Sequence, residues 1–164
     1  MEISKLAAVL LALAALGVAA QSANDSGWKE SQTPAPPAFD VKRLIPIEMP
    51  KYVSLKFGVD PQTLAITTDG IVRYVVVAIS PTGSISAMYE GIRCSKGEVK
   101  TYARSSAGAK WSVLADPQWQ SLDNLPSKHA LALARQGLCE GRSVAAASLP
   151  ELIRALTPSI QDRF

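Results

Sequence analysis

Few residues in this 164-residue chain can do chemistry, and most of them gather in one stretch. Positions 63–94 read TLAITTDGIVRYVVVAISPTGSISAMYEGIRC and carry Arg73, Tyr74, Tyr89, Glu90 and Arg93. Two guanidiniums beside the small Gly91 can hold a carboxylate or phosphate in bidentate fashion. Arg73, Tyr89 and Arg93 are therefore the candidate ligand-binding residues. The competing reading is that the arginines pair with Asp60, Asp69 or another carboxylate at the sheet end. Glu90 faces Tyr74 in the expected register, and burial there would raise its pKa and make it a candidate acid. A buried ion pair is the alternative fate, since structural ion pairs perturb pKa values too.

Other chemistries are excluded or unsupported. The chain has one histidine, so a histidine-rich metal site is impossible. A Ser-His-Asp arrangement would have to use His129 alone, and with no Gly-x-Ser-x-Gly elbow His129 reads as a solvated helix position. Walker loop, dinucleotide fingerprint and calcium loop are all missing, so no cofactor, metal or catalytic residue is assigned. Seventeen Lys and Arg stand against fourteen Asp and Glu, a net charge of +3 with no basic run. Nucleic-acid binding has no support in that pattern.

The elements that must position these residues are strands first and helices afterwards. Asp69-Gly70 has the composition of a two-residue hairpin turn, which would pair residues 68 and 71. Ser80-Pro81-Thr82-Gly83 reads as a bulged loop pairing 80 with 84. In that register one face carries Leu64, Ile66, Val75, Val77, Ile79, Ile85, Ala87 and Tyr89, with Arg73 and Arg93 near one end. The other carries Ala65, Val72, Tyr74, Val76, Ala78, Met88, Glu90, Ile92 and Cys94. Both are largely apolar, so the meander is covered on both sides.

Positions 52–57 alternate as an edge strand would, and further strands are expected over 98–104 and 110–114. Asp116-Pro117 predicts a short helix carrying Gln118 and Trp119. Ser127 is the expected cap of a helix to about Leu138. Ser148-Leu149-Pro150-Glu151 is a capping box whose helix stops before Pro158. The fold class is α+β: an antiparallel five- to six-stranded meander sheet followed by two or three short helices.

Residues 1–20 are read as a cleaved secretory signal peptide: one lysine, an unbroken run of small apolar residues, and Val18-Ala19-Ala20 before Gln21. The run is too short and small-residued for a good membrane span. Residues 21–38, rich in Ser, Pro and Ala, read as a flexible lead-in in which Trp28 docks on the domain or meets a partner. Residues 39–157 form the domain and 158–164 a tail. Export and an even cysteine count pair Cys94 with Cys139 in a disulfide, worth about 3–4 kcal/mol in the chain-entropy model.

The blocks Trp28-Lys29-Glu30, Asp69-Gly70-Ile71-Val72-Arg73-Tyr74, Tyr89-Glu90-Gly91-Ile92-Arg93-Cys94 and Lys100-Thr101-Tyr102-Ala103, with Trp111, Trp119 and Cys139, resemble the cryptic-neisserial-protein-like family. These are small secreted bacterial proteins without a characterised function. The likeness covers roughly 28–139, implies a Gram-negative periplasmic setting and carries over no catalytic residue. The helix at Ser148 rests on the residue reading alone.

The expectation is a monomeric periplasmic module that binds or supports an envelope ligand or protein without catalysis, and with no membrane span after signal cleavage. The rival is a small hydrolase or transferase using Glu90 with Tyr74 or Tyr89. A protein-facing accessory factor, contacting its partner through Trp28, is the third reading.

Overall fold

The computed structural model describes residues 27–106 and 110–158. The expected leader at 1–20 and the tail beyond 158 lie outside them.

Short strands lead into long ones. β1 (Ile45–Ile47), β2 (Lys56–Val59) and β3 (Ala65–Ile66) precede β4 (Ile71–Ile79), β5 (Ile85–Arg93) and β6 (Glu98–Ser106), which have nine residues each. β7 (Ser112–Val113) and β8 (Gln120–Ser121) follow. All pair antiparallel in one eight-stranded sheet of order β1-β2-β4-β5-β6-β7, with β3 beside the start of β4 and β8 beside the start of β6. The β-branched run of β4 suits a strand buried on both faces. Five or six strands were expected; the extra ones are two or three residues long, too short for alternation to reveal. β2 is not an edge: it begins at Lys56 and lies between β1 and β4.

The second turn closes as its residues dictate, with Ser80 N–H donating to Ser84 O at 2.9 Å and Gly83 at φ 84°. The first does not. Thr67, not Thr68, pairs with Ile71, and Gly70 takes a left-handed φ of 80° in a three-residue loop. The Asp69 side chain explains the longer loop, since it accepts from the Thr67 hydroxyl and the Ile71 N–H inside it. This one-residue shift turns Ile66 to the face of Val72 and Tyr74, where Leu64 also packs. Both had been expected on the opposite face. From β4 onward the expected faces hold: Arg73 pairs with Gly91, Ile71 with Arg93 and Tyr74 with Glu90.

Each face has its own cover. Val72, Tyr74, Val76, Ala78, Ile92 and Cys94 pack under the helices, with Leu133, Leu138, Leu152 and Leu156 fully buried against them. Val75, Val77, Ala87, Tyr89, Tyr102 and Ala103 pack on the other side under Phe39, Leu44 and Trp111.

The helical part is α1 (His129–Leu133), continued by a wider π-helical turn (Ala134–Leu138), and α2 (Leu149–Leu156). Gly137, at φ 129°, ends the turn where a Cβ would lie 3.0 Å from Ala155 O, so a side chain there would push α2 away. The helix expected at Gln118 and Trp119 is absent. Gln118 takes the Asp116 carboxylate at 2.6 Å, and Gln120 pairs with Val99 on β6 instead. Ser127 does not cap α1; Lys128 holds the cap position, and the Ser127 hydroxyl bonds His129. Ser148 sits at the cap of α2 without a side-chain hydrogen bond, and α2 ends before Pro158 as expected. With two α-helices beside a large sheet, the architecture is broadly α+β.

Cys94 at the end of β5 and Cys139 after the π-helical turn are bonded, with Cα atoms 5.6 Å apart over a separation of 45 residues. Only a two-stranded ribbon, β9 (Cys139–Glu140) with β10 (Ser143–Val144), separates Cys139 from α2. The bond therefore ties the helical cover to the sheet. Reduction, or Cys139→Ser, should lower the melting temperature by roughly 10 °C, as removal of about 3–4 kcal/mol implies for a domain of this size. Scanning calorimetry reads the shift, and two alkylatable thiols in the folded oxidised protein would refute the bond.

Candidate functional site

Two polar clusters lie back to back on the opposite faces of β4–β6. On the open face, segment 28–38 has neither helix nor strand and runs over the sheet. Its backbone makes no ladder, so side chains hold it there. Trp28 Nε1 donates to Asp69 O at 2.8 Å, and the Ser31 N–H and hydroxyl each donate to Asp69 Oδ2 at 2.7 Å. Glu30 is gripped from below: Lys100 Nζ lies 2.7 Å and Trp119 Nε1 3.2 Å from Oε2, and the Tyr102 hydroxyl 2.8 Å from Oε1. Arg73 is 1% exposed; its guanidinium donates to Ser31 O and Oγ, and lies 3.5 Å from Asp69 and 3.7 Å from Glu30. Arg93 pairs with Glu98 at 2.7 Å under Trp28, 4.1 Å from the ring centroid, and 5.3 Å from the Trp119 ring.

Local irregularity builds this cluster. The β5–β6 register shifts between Tyr89 and Glu90, leaving Tyr102 as the extra residue of a bulge. A bulge re-aims side chains, and here Tyr102 joins Ala103 and Tyr89 on the open face. Its ring needs Gly91, where a Cβ would fall 2.8 Å from the Tyr102 hydroxyl oxygen and 2.8 Å from Ile71 Cγ2. Tyr89 and Tyr102, with ring centroids 5.5 Å apart, then line a cavity of about 220 Å³. Val113, Leu114 and Pro117 form its side, and 33–36 of the overlying segment its roof.

On the helical face Glu90 is 2% exposed and accepts from three groups. Tyr74 donates to Oε2 and Thr101 to Oε1, both at 3.1 Å, and His129 Nε2 lies 2.9 Å from Oε2. His129 stacks on Phe57 with centroids 5.0 Å apart, and its Nδ1 is 2.8 Å from the Ser127 hydroxyl. A cleft of about 190 Å³ opens beside this chain of contacts. Burial, reinforced by the Glu90 charge and hydrogen bond, drives the Tyr74 phenol pKa well above its ordinary value. Tyr74 therefore donates to Glu90 and does not act as a base.

Arg73, Tyr89 and Arg93 thus share one face, but both guanidiniums are engaged within the chain. Arg73 meets Asp69 as the competing reading allowed, and Asp60 belongs to Arg43 instead. Glu90 sits on the other face with Tyr74 and away from Tyr89. His129, read as solvated, is buried, because its ring stacks on Phe57 and reaches Glu90 of the sheet. The sequence reading assigned no binding or catalytic role to Glu30, Lys100, Trp119 or Ser127, placing Trp119 on a short helix and Ser127 at a helix cap. The signals for Glu30 were its place two residues after Trp28, a large aromatic in a segment otherwise made for solvent, and its membership of the Trp28-Lys29-Glu30 block. Among the described residues no group of three or more His, Cys, Asp and Glu could hold a metal ion. Nor is any described helix long and apolar enough to cross a membrane.

Three carboxylates lose their usual basicity here. Burial pushes the Asp60 carboxyl up, but the Arg43 fork at 2.6 and 2.7 Å and the N–H groups of Asp40 and Gln62 more than reverse it. Burial also pushes Glu30 and Asp69 up, and Lys100, Tyr102 and Trp119 at Glu30, and Thr67, Ser31 and Ile71 at Asp69, bring each below the ordinary range. A carboxyl depressed on folding adds stability above its unfolded pKa, near 4, and loses it as pH falls through the folded value. Urea midpoints should hold from pH 7 to about pH 4.5 and fall below it. Asp60→Asn should lower the plateau and flatten that fall; an unchanged acid slope would remove Asp60 from this role. Gly91→Ala, which crowds Tyr102, should cost about 1–3 kcal/mol by urea titration and shift the Trp28 and Trp119 fluorescence.

The model of the CNP1-like family matches residues 23–157. That span begins ahead of Trp28 and runs past Cys139 through α2, further than the resemblance read from the residues. Neither a curated protein nor a solved structure matches the chain. With both polar clusters and both covers inside the matched span, the chain belongs to the CNP1-like family.

Proposed function

We propose that this chain is a non-catalytic binding module of the cell envelope, acting as a monomer, with its ligand site in the cavity between the sheet and segment 33–36. The observation that carries this reading is the cavity's construction. Two tyrosine rings, Val113, Leu114 and Pro117 give an apolar chamber of about 220 Å³, and Tyr102 joins it to the Arg73 and Lys100 cluster. An apolar pocket with a few convergent polar groups is the ordinary form of a small-molecule site. Tyr89, a binding candidate from its sequence position, lines this cavity. A wider groove of about 620 Å³, lined by Met49, Tyr52, Lys128, Leu131 and Arg135, is an open surface channel without a comparable set of buried polar groups. The apolar run at 1–20 supports export, as does the Cys94–Cys139 disulfide, which an oxidising compartment maintains.

A second reading has its own observation. If His129 Nε2–H donates to Glu90, Nδ1 is free to accept the Ser127 proton, which is the geometry of a base beside a nucleophile. The exposed Ser127 stands at the mouth of the 190 Å³ cleft, as a serine hydrolase would require. Against it, the Glu90 carboxylate also carries Tyr74 and Thr101, as a buried structural acceptor does.

A thermal-shift screen of the exported chain against small envelope metabolites should find a binder that raises the melting temperature by about 8 °C at a hundredfold excess over Kd. Val113→Trp, at a position 68% exposed on the cavity rim, should abolish the shift without unfolding the protein. Turnover of an ester, glycan or peptide substrate that disappears in Glu90→Gln, with folding intact, would replace the binding role with catalysis.

A further inference from the structure

The Glu30 carboxylate is surrounded on a scale unusual for a side chain carried by an irregular segment. Its four partners are Arg73 on β4, Lys100 and Tyr102 on β6, and Trp119 just before β8. All four sit on the sheet or the loop bound to it, and the carboxylate alone comes from the overlying segment. A receptor built on the rigid part and a ligand group brought in by the loose part is the arrangement of a binding site filled from within the same chain.

Charge and donor capacity point the same way. The Lys100 ammonium lies 5.8 Å from the Tyr102 ring centroid and 5.1 Å from that of Trp119, and the Arg73 guanidinium lies 5.6 Å from the same Tyr102 ring. Asp69, at 3.5 Å from Arg73, is one counter-charge for two cations. Glu30 itself does not satisfy Arg73: 3.7 Å is too long for a hydrogen bond, and the buried Arg73 Nε has no partner among the described residues.

The same segment that delivers Glu30 roofs the apolar cavity three residues later, at 33–36. Tyr102 belongs to both, with its hydroxyl on Glu30 and its ring in the cavity wall. Releasing Glu30 and opening the cavity are therefore one movement. Building on the binding role above, we propose that Arg73, Lys100, Tyr102 and Trp119 form a carboxylate receptor that Glu30 occupies in cis. The external ligand is a small organic acid whose carboxylate replaces that of Glu30 and whose apolar body fills the Tyr89–Tyr102 cavity.

A tethered group competes at an effective concentration in the millimolar range or above. The parent protein should therefore respond weakly to a simple acid and a variant lacking the tethered carboxylate strongly. Calorimetric titration of 3-phenylpropionate, with 3-phenylpropionamide as the uncharged control, tests this on the chain as exported. Glu30→Ala should bind the acid at least about tenfold more tightly than the parent while its affinity for the amide stays within about twofold. Sodium acetate at 50 mM, an order-of-magnitude choice set by that effective concentration, should restore the melting temperature lost in Glu30→Ala more than sodium chloride of equal ionic strength does. Lys100→Met added to Glu30→Ala should abolish both effects. Should Glu30→Ala fail to fold, Glu30→Gln keeps the side-chain shape and the same gain for the acid is read there. Equal affinity of parent and variant for the acid overturns the cis occupation. Binding of the amide with no gain for the acid overturns the receptor but leaves the cavity as a binding site; binding of neither compound removes both.

Discussion

Residues 71–78 of β4 are buried without a break, so the central strand is shielded from solvent on both faces. That double burial is the constraint on which the rest depends. A sheet that is apolar on both faces must be covered twice, and the helices among the described residues supply one cover. α1, its π-helical turn and α2 take the face of Tyr74 and Ile92, and the disulfide fixes them there. The other face is closed by extended chain: Phe39, Leu44, Trp111 and the segment from Trp28 onward.

Extended chain makes a poor lid by apolar burial alone, because its polar backbone still needs partners. The sheet meets that need with charge. Asp69 holds Trp28 and Ser31, Arg73 holds Ser31, and Lys100 with Tyr102 and Trp119 holds Glu30. At the near end of the lid Asp60, fully buried, accepts the Arg43 fork and the Asp40 N–H, while its carbonyl takes the Thr63 hydroxyl that in turn accepts from Val75 N–H. The lid is thus fastened by ion pairs and hydrogen bonds where the helical cover is fastened by leucines and a covalent bond. Polar fastening is specific in geometry.

The buried charges follow one rule. Removing a charged group from water costs several kcal/mol unless partners replace the hydration. Glu90 meets Tyr74, Thr101 and His129, Arg93 meets Glu98 and two indoles, and Asp60 meets Arg43. Arg73, at 1% exposure, meets Ser31 and Asp69, and its Nε has no partner among the described residues.

Much of the scaffold was legible in the residues. Alternation and β-branching marked β4–β6, Pro81 and Gly83 set the turn that fixes their pairing, and that register alone placed Arg73 and Arg93 on one face and Glu90 against Tyr74 on the other. Cys94 and Cys139 were pairable by count and compartment. Composition also showed both faces to be apolar, though not what covers them. The first hairpin escaped because Asp69-Gly70 satisfies two loop lengths, and the choice falls to where the Asp69 carboxylate finds its donors, some of which lie in Ser31, 38 residues away. His129 escaped because helix pattern tells which residues share a stripe and not which way the helix lies on the sheet. Glu30 escaped for the same reason on a larger scale. Local sequence determines strands, turns and stripes through short-range sterics and periodicity. The carboxylate held by Arg73, Lys100, Tyr102 and Trp119 exists only when segments up to 89 residues apart are brought to one face, and that is decided by the need to cover the sheet twice.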